Sequence, residues 1–156
     1  MSVDNSEKDL ANFLGGQLTL ASGAIGDSAD IHYKNYIIEC KRRDTSTSNE
    51  NIVLYTKYWK KLVKQSIKHN KIPVYVYQTD NTDYIFIEKD IAYSLYKEWI
   101  INKTNYNKQI NYILKVKTFN YIYDKLSERK NKKEEIGIVM DNWIILTKYC
   151  FKRITQ

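Results

Sequence analysis

The stretch Asp30-Ile31-His32-Tyr33-Lys34-Asn35-Tyr36-Ile37-Ile38-Glu39-Cys40-Lys41 constrains this chain more than any other. Two short runs rich in β-branched and aromatic residues flank Lys34-Asn35, the pattern of a β-hairpin. A two-residue turn there pairs Tyr33 with Tyr36, His32 with Ile37 and Ile31 with Ile38; a symmetric four-residue loop gives the same register. Asp30 then falls directly opposite Glu39. Side chains two apart share a face, so Lys41 points the same way as Glu39, towards Asp30. Two carboxylates would sit roughly 4.5–5.5 Å apart at Cβ, which destabilises a sheet unless something compensates. A divalent cation taking hard oxygen ligands would compensate it, and Lys41 beside it could stabilise a developing oxyanion or orient a water. The alternative is a solvated hairpin face carrying a screened Glu–Lys pair.

The flanks supply elements in a definite order. Ser6 with Asp9 reads as a capping box, and Gly15-Gly16 as a helix stop. Between them Leu10, Ala11 and Leu14 form an apolar stripe, with Glu7 one turn ahead on the same face. Gln17 to Ala21 is predicted as the first strand. Ser22-Gly23-Ala24-Ile25-Gly26 is a turn of small residues whose N–H groups and Ser22 hydroxyl can approach a phosphate closely. Beyond Lys41 come Arg42-Arg43, a polar loop from Asp44 to Asn49, and a helix from about Asn51 to His69. Ile52, Tyr55, Trp59, Leu62 and Ser66 trace its buried stripe. Lys57, Lys60, Lys61, Lys64 and Lys68 mark another face, suited to phosphates or simply solvated, and Gln65 lies between the two.

Pro73 to Gln78 reads as a buried strand, Asp80 to Asp83 as a turn and Tyr84 to Glu88 as the return strand. A helix capped by Asp90 is expected to run to about Ile101 with Ala92, Leu95 and Trp99 inward. A polar loop from Asn102 to Asn111 follows, then a strand turning into a helix over Lys115 to Leu126, and a charged linker from Glu128 to Glu135. Ile136 to Leu146 is predicted as a hairpin turning at Asp141-Asn142, after which the end frays.

Asp30 followed by Glu39-Cys40-Lys41 resembles the PD-(D/E)XK nuclease pattern. The ordered set of a short helix with a leading Glu, Ser-Gly-Ala, Asp, Glu-x-Lys, a helix and a Pro-Val strand resembles archaeal-type Holliday junction resolvases and their compact phage-encoded relatives. The resemblance spans roughly residues 6–80. It implies an α/β fold with a restriction-endonuclease-like αβββαβ core, a mixed central sheet flanked by helices, and a C-terminal α+β extension. One nuclease domain would then span residues 1–156, with the core at about 6–88 and the extension at about 89–156. The resemblance further implies Mg²⁺, with Mn²⁺ able to substitute, held by Asp30, Glu39 and the Cys40 backbone carbonyl. Lys41 would act on the transition state, and Glu7 would correspond to the leading Glu that helps hold a metal or water. A first-turn acid favouring the helix dipole is the alternative for Glu7. Ser22, Gly23, Arg42, Arg43, Lys60 and Lys64 are the candidate DNA contacts. The substrate would be branched DNA, a four-way junction, whose two-fold symmetry calls for a homodimer. One departure concerns the first ligand. The family usually has Gly before it, and this chain has Ala29-Asp30 but also Gly26-Asp27; pairing opposite Glu39 favours Asp30.

Composition agrees with this without proving it. The 156 residues are 43% hydrophobic and 28% charged, a globular balance. A net charge of +7 favours a polyanionic partner. No run of 18 apolar residues and no signal-peptide pattern occurs, so a cytoplasmic protein is expected, in the host cytoplasm if phage-encoded. Cys40 and Cys150 lack metal-site spacing, and Cys40 alternates into the core. His32 and His69 stand isolated, though His32 shares the Asp30 face. Two other readings use the same residues: a nuclease acting on nicked, flapped or single-stranded DNA, and a catalytically silent basic nucleic-acid-binding module.

Overall fold

The computed structural model describes residues 5–19, 29–42, 52–79, 82–96, 100–105, 113–114, 135–140 and 142–156. In chain order the elements are α1 (Asn5–Leu14), β1 (Gln17–Leu18), β2 (Ile31–Tyr33), β3 (Tyr36–Arg42) and β4 (Ile52–Val53). They continue with α2 (Thr56–His69), β5 (Ile72–Gln78), β6 (Asp83–Glu88), α3 (Lys89–Leu95) and β7 (Ile100–Asn105). The last are β8 (Ile113–Leu114), β9 (Glu135–Met140), β10 (Trp143–Thr147) and α4 (Lys148–Thr155).

The hairpin has the register its sequence dictates: Ile31 pairs with Ile38, His32 with Ile37 and Tyr33 with Tyr36. Lys34 turns the chain in the left-handed region, at φ 48°, so this tight reversal is made without glycine. On its other side β3 runs parallel to β5 along seven residue pairs, from Tyr36–Ile72 to Arg42–Gln78. A parallel pair needs a crossover, and α2 is that crossover. The sheet has eight described strands in the order β1-β2-β3-β5-β6-β10-β9-β7, and only β3–β5 and β7–β9 are parallel. This is a mixed α/β architecture whose α1-β1-β2-β3-α2-β5 segment follows the expected αβββαβ order, with β4 inserted before α2. The fold is compatible with a restriction-endonuclease-like one.

Alternation along the strands makes two apolar faces. Ile31, Tyr33, Tyr36, Ile38, Cys40, Val74, Val76, Ile85 and Ile87 point to one side, where α1 (Leu10, Ala11, Leu14), α3 (Ala92) and α4 (Phe151) cover them. The opposite face is aromatic, with Tyr75, Tyr77, Tyr84, Phe86 and Trp143 buried against Leu54 and Trp59. Beside it Leu62 of α2 packs on Ala29 and Ile37. Among the described residues no helix is long and apolar enough to cross a membrane.

Several elements depart from the sequence reading. Ser6 lies inside α1, which begins at Asn5, so it does not cap the helix. The long helix starts at Thr56 instead of Asn51, because the β-branched Ile52-Val53 pairs with Ile113 and Leu114 as a small second sheet. Tyr55 is consequently outside the buried stripe and 49% exposed, while Gln65 joins Leu62 and Ser66 inside it. Helix α3 stops at Leu95, itself 47% exposed. Its C-cap residue Tyr96 is buried, and the Tyr96 hydroxyl bonds that of Tyr36 at 2.7 Å. Ile100 to Asn105, read partly as helix and partly as loop, is strand β7 paired with β9. Asp90 lies in the first turn of α3, whose N-cap is Glu88. The predicted hairpin at 136–146 forms as β9 and β10, and β10 joins β6, so the C-terminal strands complete the central sheet. The readings for 115–126 and for Glu128 to Glu134 lie outside the described residues.

The C-terminus does not fray. Thr147 caps α4, its Oγ1 accepting from the Cys150 N–H at 3.1 Å. Phe151 is fully buried against the rings of Tyr33 and Tyr36, at 5.9 and 5.2 Å between centroids. At its far end Thr155 meets the hairpin, through the Tyr33 hydroxyl at 2.8 Å and a 2.6 Å bond from Lys34 Nζ to the Thr155 carbonyl. The last helix therefore clamps the hairpin turn. Phe151→Ala should cost about 3–5 kcal/mol, the usual range for emptying a buried aromatic site. Urea unfolding checks it, and a loss below about 1 kcal/mol would mean that α4 is not docked as described.

Candidate active site

The site grows from a mismatch in strand length. β3 extends to Arg42, but the β2 ladder beside it starts at Ile31, so β3 overhangs its partner from Glu39 onward. Asp30 occupies that step. Its Oδ2 accepts the Cys40 N–H at 2.8 Å, replacing the missing ladder bond with a charge-assisted one. Continuing the register places Asp30 opposite Glu39. Side-chain alternation then puts Asp30, Glu39 and Lys41 on the α2 face, with Cys40 buried on the other. Lys41 Nζ lies 3.1 Å from Glu39 Oε1, with the two side chains 28% and 17% exposed. The same ammonium sits over the Tyr58 ring, 3.7 Å from its centroid.

The electrostatics follow from this burial. The Asp30 carboxyl is raised above its ordinary pKa by desolvation, which outweighs the Cys40 N–H bond and the Lys41 and Lys61 charges. Glu39 is likewise raised, first by desolvation and then by repulsion from Asp30, against the pull of Lys41 and Lys61. Burial works against the charge on Lys41, but the Glu39 carboxylate overcomes it and the lysine is raised above its usual value. The folded chain thus holds two neighbouring carboxylates that resist ionising together.

That donor set fits a hard divalent cation. Asp30 and Glu39 offer adjacent carboxylate oxygens in a partly dry position. A strand residue's N–H and C=O point to the same edge, so the Cys40 carbonyl faces the step where Asp30 takes its N–H. Asp30, Glu39 and the Cys40 carbonyl are the residues able to hold such an ion. Among the described residues no three His, Cys, Asp or Glu side chains cluster as a metal site.

The other candidates are distributed around this centre. Glu7 is half-buried in the first turn of α1. After burial and Asp30, the charge of Glu7 is the next cause that pushes the Cys40 thiol well up. Arg42 is exposed at the end of β3. Lys60 and Lys64 are exposed on α2, as are Lys57, Lys61 and Lys68. Gln65 is buried on α2, its Nε2 without a hydrogen-bond partner among the described residues. His32 packs edge-on to His69 at 5.3 Å, and its Nδ1 is 3.1 Å from Lys71 Nζ. Burial, then Lys71 and His69, hold His32 below its ordinary value. Ser22, Gly23, Asp27 and Arg43 lie outside the described residues.

Two residues of this environment were not assigned to the site from the sequence, Lys61, placed there only in the lysine ridge, and Tyr58. Lys61 is the ridge lysine whose charge reaches both Asp30 and Glu39. Its signal was its place next to Leu62, at the edge of the buried stripe. Tyr58, which faces Lys41, lies one turn before Lys61 on the same face of α2.

The raised carboxyls make a pH prediction. A folded-state pKa above the unfolded one means that stability is fully present below the unfolded value and lost as pH rises through the folded value. Asp30→Asn, which keeps an acceptor for the Cys40 N–H, should raise the melting temperature of the cation-free protein at pH 8. The gain should shrink towards zero near pH 4. Thermal unfolding in EDTA checks this; equal destabilisation at both pH values would show that the carboxylate charge is no burden to the fold.

A family model described as "Phage putative PDDEXK endonuclease" matches residues 7–152. The match takes in Glu7, Asp30, Glu39 and Lys41 and runs into α4. No curated protein and no solved structure matches the chain.

Proposed function

The chain belongs to the phage PDDEXK endonuclease family, and from that membership we propose that it is a Mg²⁺-dependent Holliday junction resolvase. It would cut branched DNA at four-way junctions as a homodimer in the host cytoplasm. The observation that carries the chemistry is the meeting of Asp30, Glu39 and Lys41 at the overhang of β3. A divalent ion held by Asp30, Glu39 and the Cys40 carbonyl would supply Lewis-acid charge at the scissile phosphate and make a water nucleophilic, with Mn²⁺ able to replace Mg²⁺.

The chain's own groups do the rest. The Cys40 N–H fixes Asp30 in one orientation, so that carboxylate needs no reorganisation when it binds. Lys41, half-buried and paired with Glu39, would face the place where negative charge grows on the phosphoryl group during in-line attack. Such a charge stabilises the transition state more than bound DNA. Lys61 stands where a flanking phosphate could lie, and Arg42, Lys60 and Lys64 extend the positive surface to either side. Glu7 is retained as a residue that helps order the ion or its water. Ser22, Gly23 and Arg43 are retained as backbone contacts. Two coordinated nicks in a two-fold symmetric junction require two such sites, which is the reason for a homodimer.

Cleavage of a four-way junction and of a linear duplex, each with Mg²⁺, tests the proposal. The junction should be cut and the duplex spared. Glu39→Ala and Asp30→Asn should abolish cutting while junction binding in Ca²⁺ is kept or tightened, because a charge repelling phosphate is removed. Lys41→Ala should lose on the order of 10²–10³ in rate with affinity little changed. Asp27→Asn should cut normally; a dead Asp27→Asn beside an active Asp30→Asn would move the first ligand. Equal cutting of both substrates would end the resolvase reading and leave the endonuclease. Cleavage of neither, with DNA still bound, would favour a silent binding module.

A further inference from the structure

Tyr58 stands at the start of α2 with its ring turned to the overhang of β3. Two lysines approach it: Lys41 Nζ at 3.7 Å from the ring centroid and Lys57 Nζ at 5.0 Å. The ring packs edge-on against Tyr55 at 5.6 Å. Tyr55 is anchored in turn, since its backbone hydrogen-bonds Tyr75, the fully buried residue that pairs with Glu39 on the neighbouring strand. Two i→i−4 and i→i−3 bonds, from the Trp59 and Tyr58 N–H groups to the Tyr55 carbonyl, fix the first turn of the helix on that anchor. A chain of contacts therefore runs from the strand beside Glu39, through Tyr55, to the ring under Lys41.

Lys41 consequently has two partners of different kind. Glu39 holds it as an ion pair at 3.1 Å, and Tyr58 holds it through the face of a π-system. The two differ in what happens when the carboxylate is needed elsewhere. If Glu39 turns its oxygens to a cation, its pull on Lys41 weakens and the cation repels the ammonium. A long, flexible lysine side chain would then swing to solvent unless something else retained it. The ring retains it without neutralising it.

We propose that Tyr58 is a positioning residue for Lys41, its ring face keeping the ammonium beside the Glu39 carboxylate and free to meet negative charge developing on the substrate. The catalytic part of this inference rests on the nuclease reading; the placement of Lys41 does not. The ring is what matters, so phenylalanine should serve where leucine fails. The hydroxyl is dispensable, and Lys57, farther from the ring, cannot take over the role.

The experiment has two readouts on the same full-length proteins: wild type, Tyr58→Phe and Tyr58→Leu. The first uses the cation-free protein with ¹³C-labelled lysine. The Lys41 ε-methylene resonance, identified by its loss in Lys41→Ala, should be shifted upfield by the ring in wild type and Tyr58→Phe. In Tyr58→Leu it should return to the position of exposed lysines. The second is single-turnover cleavage of a four-way junction. Tyr58→Leu should lower the rate about tenfold with DNA affinity unchanged, and Tyr58→Phe should stay within about twofold. In the Lys41→Ala background Tyr58→Leu should add no further loss, since the two act as one unit. An unshifted Lys41 resonance in wild type overturns the proposal. So does a Tyr58→Leu enzyme cutting at the wild-type rate, or one that loses affinity and not rate. A shifted resonance in a wild-type protein that cuts no DNA would support the placement and overturn the nuclease reading instead.

Discussion

Where β2 ends, the N–H of Cys40 points towards a strand that is no longer there. A buried donor left in that state costs about 1–3 kcal/mol, and the Asp30 side chain removes the cost by accepting it at 2.8 Å. That single bond brings a carboxylate into the sheet at the place where a backbone carbonyl would otherwise sit. It also fixes the carboxylate opposite Glu39, because the hairpin register leaves no other residue there. The repulsion between the two acids descends from this substitution of side chain for strand, and the Lys41 ion pair to Glu39 lies beside it on β3.

The rest of the molecule makes that arrangement rigid. β3 is held along its length by β5, and both faces of this strand pair are covered, by α1 and α4 on one side and α2 on the other. On the site face, Tyr75 and Tyr77 pair with Glu39 and Lys41 across the parallel ladder and are themselves buried. Trp59 of α2 meets Trp143 of β10 edge-on at 4.6 Å, so the helix bearing Tyr58 and Lys61 is tied to the far half of the sheet. The C-terminal strands and helix thus support the site from a distance. This gives a physical reason for a family match that extends well beyond the residues of the metal pattern. Groups mounted on strands and a packed helix hold their geometry better than groups on loops.

The sequence made the centre legible and the periphery much less so. Period-two alternation through residues 30–41 and the Lys34-Asn35 turn were enough to place Asp30, Glu39 and Lys41, because register leaves side chains no choice of face. The β9–β10 hairpin was readable for the same reason. The start of α2 was not: Ile52-Val53 continues an apolar periodicity, and only pairing with residues 113 and 114, far along the chain, draws it into a strand. The error at Ile100 and Ile101 has the same origin, since β7 exists through its pairing with β9. Helix α4 was present in local signals that went unread, a Thr147 cap followed by Phe151 and Ile154 on one face. Tyr58 and Lys61 lie at the edge of the helix stripe that Trp59, Leu62 and Ser66 mark, and only the packing of α2 over the overhang of β3 turns that edge to the site.

The central claim is that the Asp30–Glu39 step holds a divalent cation. A crystal of the full chain soaked in Mn²⁺ and measured at the manganese edge tests this most directly. The account predicts an anomalous peak at oxygen-ligand distance, about 2.0–2.6 Å, from Asp30, Glu39 and the Cys40 carbonyl, and no peak there in Asp30→Asn. Manganese absent from this step, or bound elsewhere with Lys41 still paired to Glu39, would contradict it.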